Sequence, residues 1–98
     1  MKWLLSNKTL FDTQKAALIA SWSNGRHYSE PEFVEENLYR SKTGGLFLVG
    51  NQIDGTPSGD SRTDRCRQLT PEDALRWCMR RQQEQAASVH LRETLTIA

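Results

Sequence analysis

The sequence predicts an α+β domain: an antiparallel sheet of four to five strands with one main C-terminal helix packed on one face. Three observations predict it. Turn signals at Asn24-Gly25 and Gly44-Gly45 separate short apolar runs, as hairpins require. The run Leu46-Phe47-Leu48-Val49 is apolar on both pleat faces, which suits a central strand covered on each side. One capped amphipathic segment, Leu69 to Arg80, has the helical period. With 98 residues, the chain fits a single domain over 1–98 with one thin core.

Taken in order, Trp3 to Ser6 and Thr9 to Phe11 read as short strands around Asn7-Lys8, and Asp12 to Gln14 as a tight turn. Ala16 to Trp22 alternates, with Ala16, Leu18, Ala20 and Trp22 on one face, and reads as a strand ending at Ser23-Asn24-Gly25. Asn and Gly tolerate positive φ, so a turn belongs there. Arg26 to Tyr28 continues the extended chain, and Ser29-Glu30-Pro31 breaks it; Pro31 cannot donate to a central ladder. Phe33 to Ser41 and Leu46 to Asn51 flank Lys42-Thr43-Gly44-Gly45 as a second hairpin. The Leu46–Val49 strand is expected between the helix on one side and loops on the other.

Gly50, Gly55, Pro57 and Gly59 punctuate a long loop over residues 50–65, in which Ile53 is the single large apolar residue. Loops of that length bind partners or move. In the helix, Thr70 can cap, Pro71 suits the first position, and Asp73 completes an abbreviated capping box. Ala74, Leu75, Trp77, Cys78 and Met79 fill one arc, while Arg76, Arg80 and Gln83 fill the other. The helix is predicted over Thr70–Gln83, with docking ending near Met79, although Arg81 and Gln82 return to the apolar arc. Residues 85–98 are compatible with a helix, a strand or a frayed tail. Trp22, Leu38, Phe47, Leu48, Leu75, Trp77 and Met79 are the expected core.

Thirteen Lys+Arg against twelve Asp+Glu give a net charge of +1, which excludes strong steering of the whole molecule toward nucleic acid. The charges are unevenly placed. Glu30, Glu32, Glu35 and Glu36 form an acidic run that reads as a solvated face. Arg62, Arg65, Arg67, Arg76, Arg80 and Arg81 face only Asp64, Glu72 and Asp73. Arg outnumbers Lys nine to four, and its planar fork suits bidentate recognition of carboxylates and phosphates.

Catalysis and metal binding find little support. His27 and His90 are isolated and there is no Cys-x-x-Cys pair, against zinc. Asp54, Asp60 and Asp64 lack the spacing of a calcium loop, and no phosphate loop is present. Arg65 and Arg67 could lower the pKa of Cys66, but a structural thiol is the expectation, and local structure brings no base beside Cys66 or Cys78. No enzyme activity and no cofactor are expected. No apolar run is long enough to span a membrane, and Lys2-Trp3-Leu4-Leu5 falls short of a signal peptide. The expected location is the cytoplasm, with reduced thiols.

Several stretches resemble one family in order and spacing. Asn7-Lys8-Thr9-Leu10-Phe11-Asp12-Thr13 precedes Ser21-Trp22-Ser23-Asn24-Gly25. Glu36-Asn37-Leu38-Tyr39-Arg40-Ser41-Lys42-Thr43-Gly44-Gly45-Leu46-Phe47-Leu48-Val49-Gly50 follows, and then Leu69-Thr70-Pro71-Glu72-Asp73-Ala74-Leu75-Arg76-Trp77. These resemble short proteins encoded by bacteriophages and other bacterial mobile elements, over roughly Asn7 to Cys78. The chain departs from that pattern after the Phe-Leu strand, where Gly50-Asn51-Gln52-Ile53-Asp54-Gly55 replaces a Gly-Glu-Gly-Gly stretch. The resemblance implies no catalytic residues. It implies an anti-CRISPR-like inhibitor, whose partner is a host protein or ribonucleoprotein defence complex in the bacterial cytoplasm. A DNA-binding regulatory protein is the alternative. For either partner the candidate surface is Arg65, Arg67, Arg76 and Arg80.

Overall fold

All five residues of the strand Leu46–Gly50 are buried, and the rest of the fold is arranged around that strand. A computed structural model describes residues 2–5, 8–27, 29–51 and 65–95. In chain order the elements are β1 (Lys2–Leu4), β2 (Leu10–Asp12), a 3-10 turn (Thr13–Lys15), β3 (Ala16–Ser23), β4 (Glu35–Ser41), β5 (Leu46–Gly50), β6 (Arg65–Leu69), α1 (Pro71–Arg80) and α2 (Glu84–His90). The last four strands form an antiparallel sheet in the order β3-β4-β5-β6, and β1 and β2 form a separate two-stranded ribbon. The architecture is α+β, with two helices among the described residues.

Each face of β5 has its own cover. On one side Leu46 and Leu48 join Leu38, Leu69, Ala74, Trp77, Cys78, Ala87 and Leu91, packing the sheet against both helices. On the other, Phe47 and Val49 pack with Phe11 of the ribbon. The Phe11 and Phe47 rings stack with centroids 4.3 Å apart, and Tyr39 meets Phe11 edge-on at 5.8 Å. The apolar-both-sides pattern thus marks the central strand, but its second cover is the β1–β2 ribbon and not loops.

The β4–β5 hairpin closes as its glycines require: the Ser41 and Gly44 amides donate to the Gly45 and Ser41 carbonyls, and Gly44 has φ +92°. Gly25 also has positive φ, +79°. The chain does not resume as a strand after it. Asn24 instead organises an irregular connection to β4, donating from Nδ2 to the Glu32 carbonyl at 2.7 Å and accepting from the Arg26 amide at 3.2 Å. Arg26 and His27 are therefore turn residues; Tyr28 lies outside the described residues.

Three further expectations are corrected. The alternation read along β3 is interrupted by a register shift between Leu18 and Ala20. Ile19 and Ala20 are both buried while Leu18 is exposed, so one bulge moves the apolar residues onto the helix side. The loop predicted over 50–65 begins and ends in strands. Gly50 closes β5, and Arg65–Leu69, for which no strand was expected, is the fourth strand of the sheet; residues 52–64 lie outside the described residues. Met79 is 67% exposed and does not belong to the core.

Helix α1 begins as its capping residues dictate, the Thr70 hydroxyl accepting from the Asp73 amide at 3.1 Å. It ends at Arg80, short of Gln83. The Gln83 amide bonds to the Cys78 carbonyl and the Gln82 amide to that of Met79, with Gln82 at φ +58°. That is a Schellman stop made without glycine. It turns the chain into α2, whose Ala87 and the following Leu91 return to the core. Among the described residues, no helix is long and apolar enough to cross a membrane.

Candidate functional site

Residues two apart on a strand share a face, so Arg65, Arg67 and the buried Leu69 all belong to the helix side of β6. Arg76 and Arg80 lie one turn apart on α1, which crosses that same side. Arg67, Arg76 and Arg80 therefore converge on one cleft between α1 and the sheet, of about 160 Å3, with Leu48, Leu69 and Trp77 as its apolar lining and Glu36 and Asp73 as its carboxylates. Arg76 and Arg80 border this cleft and do not simply face away from the sheet. Arg65 does not line it, although it shares their side of the sheet, opposite Gly50.

The two carboxylates are already engaged. Asp73 holds Arg76 at 2.9 Å across one exposed turn. Glu36 is 6% exposed, and its Oε1 accepts from Trp77 Nε1 at 3.2 Å and from Arg81 Nε at 2.7 Å, with Arg81 Nη2 also at 2.7 Å. The Arg81 guanidinium lies 3.6 Å over the Trp22 ring. Arg67 and Arg80 have no carboxylate partner among the described residues. An incoming anion would therefore meet two unneutralised guanidinium groups in a space large enough for one carboxylate or phosphate and too small for a drug-sized ligand.

Glu36 corrects the reading of its segment as a solvated acidic face. It lies directly opposite Trp22 on β3, and the same strand sends Leu38 into the core. Residues 36 and 38 share a face, so the alternation that buries Leu38 also buries Glu36. That parity was the available signal. Arg81 was the matching one, since it returns to the apolar arc of the helix.

Burial, and not the flanking charge, decides the chemistry of the thiols. Cys66 belongs to the opposite face of β6 from Arg65 and Arg67 and packs on the Phe11–Phe47–Val49 cluster. Burial pushes its pKa up to about 11, so it is a protonated thiol at neutral pH and a poor nucleophile. Burial also raises the pKa of Cys78, in the helix-side core. The sheet separates the two, and both are free. Among the described residues, no three His, Cys, Asp or Glu side chains group as metal ligands; Asp54, Asp60 and Asp64 lie outside those residues.

Compared with known proteins, the chain matches no family model, no curated protein and no solved structure.

Proposed function

We propose that this is a non-catalytic binding protein that seats an acidic group of a partner in the Arg67–Arg76–Arg80 cleft. The observation that carries the reading is the pair Arg67 and Arg80, unmatched by carboxylates among the described residues beside an apolar floor. Guanidinium groups that line one cleft from the strand and the helix repel each other, and a bidentate carboxylate relieves that repulsion. The resemblance to mobile-element proteins supports a host defence complex as the partner, encountered in the bacterial cytoplasm. Inhibition would then follow from occupying a surface the complex needs.

The test is capture from a lysate of a CRISPR-bearing bacterium by the wild-type protein and by Arg67→Glu/Arg76→Glu/Arg80→Glu. The expected result is a defence-complex subunit retained by the first and lost by the second, with weaker retention at high salt because rim charges chiefly control association rate. Equal capture by both proteins would move the partner surface elsewhere. A duplex-DNA mobility shift at physiological salt, abolished in the triple variant, would favour the DNA-binding regulator instead. On that reading α1 would have to supply base-reading side chains, and its exposed residues include Glu72, Arg76, Met79 and Arg80 but no Asn or Gln.

A further inference from the structure

We propose a second anion site, for a phosphate group, in the hollow where the 3-10 turn meets the end of the β3–β4 pair. The hollow has a volume of about 400 Å3, and its ionisable lining residues are Lys15, Arg40 and Lys42, all cations. Lys15 ends the 3-10 turn, Lys42 is the first residue beyond β4, and Arg40 lies opposite Ala17 in the β3–β4 register. Ala17, directly opposite Arg40, carries only a methyl group.

Arg40 carries the argument. It is partly buried, and its Nη2 donates to the His90 carbonyl at the end of α2. Its Nε is buried without a hydrogen-bond partner among the described residues. Arg26, Arg76 and Arg81 each have a carboxylate, from Glu30, Asp73 and Glu36. Arg40, more sheltered than the first two, has none among the described residues, and neither do Lys15 and Lys42. Desolvating a cation without a counter-ion is costly, so an anion in the hollow would be stabilised by a guanidinium that the His90 carbonyl already holds in place. Asp12 lines the adjoining hollow with Lys15 and Lys42 and caps the Gln14 amide at 3.0 Å. Three cations around one concavity match the charge of a phosphate better than that of a single carboxylate. The competing account is that Arg40 only fastens α2 to the sheet while the lysines only solvate the surface.

The experiment is a titration of the 15N-labelled full chain with inorganic phosphate against sodium chloride at matched ionic strength, followed by amide shifts. Saturable shifts at Lys15, Ala17, Arg40 and Lys42 with phosphate and not with chloride are expected. Lys15→Gln/Lys42→Gln changes two exposed side chains and should melt like the wild type, yet bind phosphate about tenfold more weakly or worse. A single-stranded oligonucleotide that displaces phosphate from these amides identifies a phosphodiester backbone as the source; phosphate binding without such competition identifies a free phosphate or phosphomonoester. Shifts that track ionic strength alone, shifts confined to Arg67, Arg76 and Arg80, or unchanged binding by the double variant would each overturn the proposal.

Discussion

Replacing Glu36 by Ala removes the acceptor for the Trp77 indole N–H and for the Arg81 guanidinium in one step. Breaking a buried ion pair by deleting one partner costs about 3–5 kcal/mol. Arg81 keeps a 23% exposed side chain, so water can serve part of its need, and the low end, about 3 kcal/mol, applies. A domain of this size is stable by roughly 5–15 kcal/mol, and each kcal/mol shifts its melting temperature by about 4–8 °C, so the expected drop is roughly 12–24 °C. Glu36→Gln keeps an oxygen for Trp77 and should lose only about 1–2 kcal/mol. Glu36→Leu with Arg81→Met removes both charges together and should recover much of the loss. By contrast, deleting the exposed Arg26–Glu30 pair should change stability by less than about 1 kcal/mol. Urea unfolding followed by tryptophan fluorescence and far-UV circular dichroism measures all of these. A Glu36→Ala loss below about 1 kcal/mol, the range of an exposed pair, would refute the reasoning. So would a double variant as unstable as the summed single variants.

Gln82→Gly should stabilise the protein by about 0.5–1 kcal/mol, because glycine adopts the left-handed C-cap conformation without a Cβ penalty; a lower urea midpoint would contradict the Schellman assignment. Gly25→Val should cost about 1–3 kcal/mol through backbone strain alone, since a Cβ there meets no heavy atom within 4 Å. An unchanged melting temperature would show that the connection relaxes freely. The raised pKa of Cys66 predicts a loss of stability at alkaline pH. The unfolded thiol ionises near 9.0 and the folded one only near 11, so this contribution is complete below pH 9 and disappears between pH 9 and 11. Cys66→Ser should flatten that part of the pH–stability profile, and an unaltered profile would count against burial as the cause.

Features written in short-range chemistry were legible from the chain alone. The Thr70-Pro71-Asp73 start, the positive φ at Gly25, the hairpin at Gly44-Gly45 and the doubly apolar β5 each depend on a few consecutive residues, so capping, turn preference and pleat alternation revealed them. The clustering of arginines was visible as composition, and strand and helix periodicity explain why Arg67, Arg76 and Arg80 share the helix side of the sheet; Arg65 shares that side too but stands outside the cleft, at the end of the ladder opposite Gly50.

Long-range packing determined the rest. Arg65–Leu69 has too few apolar residues to announce itself as a strand; it becomes one because β5 offers it a ladder. Glu36 looked like a member of a solvated acidic run until β4 placed it beneath α1, where Trp77 and Arg81, more than forty residues later, supply its partners. Which side of α1 meets the sheet also leaves Met79 exposed, and beyond the stop at Gln82 the chain packs Ala87 and Leu91 back into the core. Cys66 follows the same logic: sequence neighbours set the charge around it, but pleat alternation sends its arginines to the other face, and burial among aromatic rings raises its pKa. Local signals act over one turn or one hairpin, whereas partners for buried charge and sheet edges are found only when distant segments pack together.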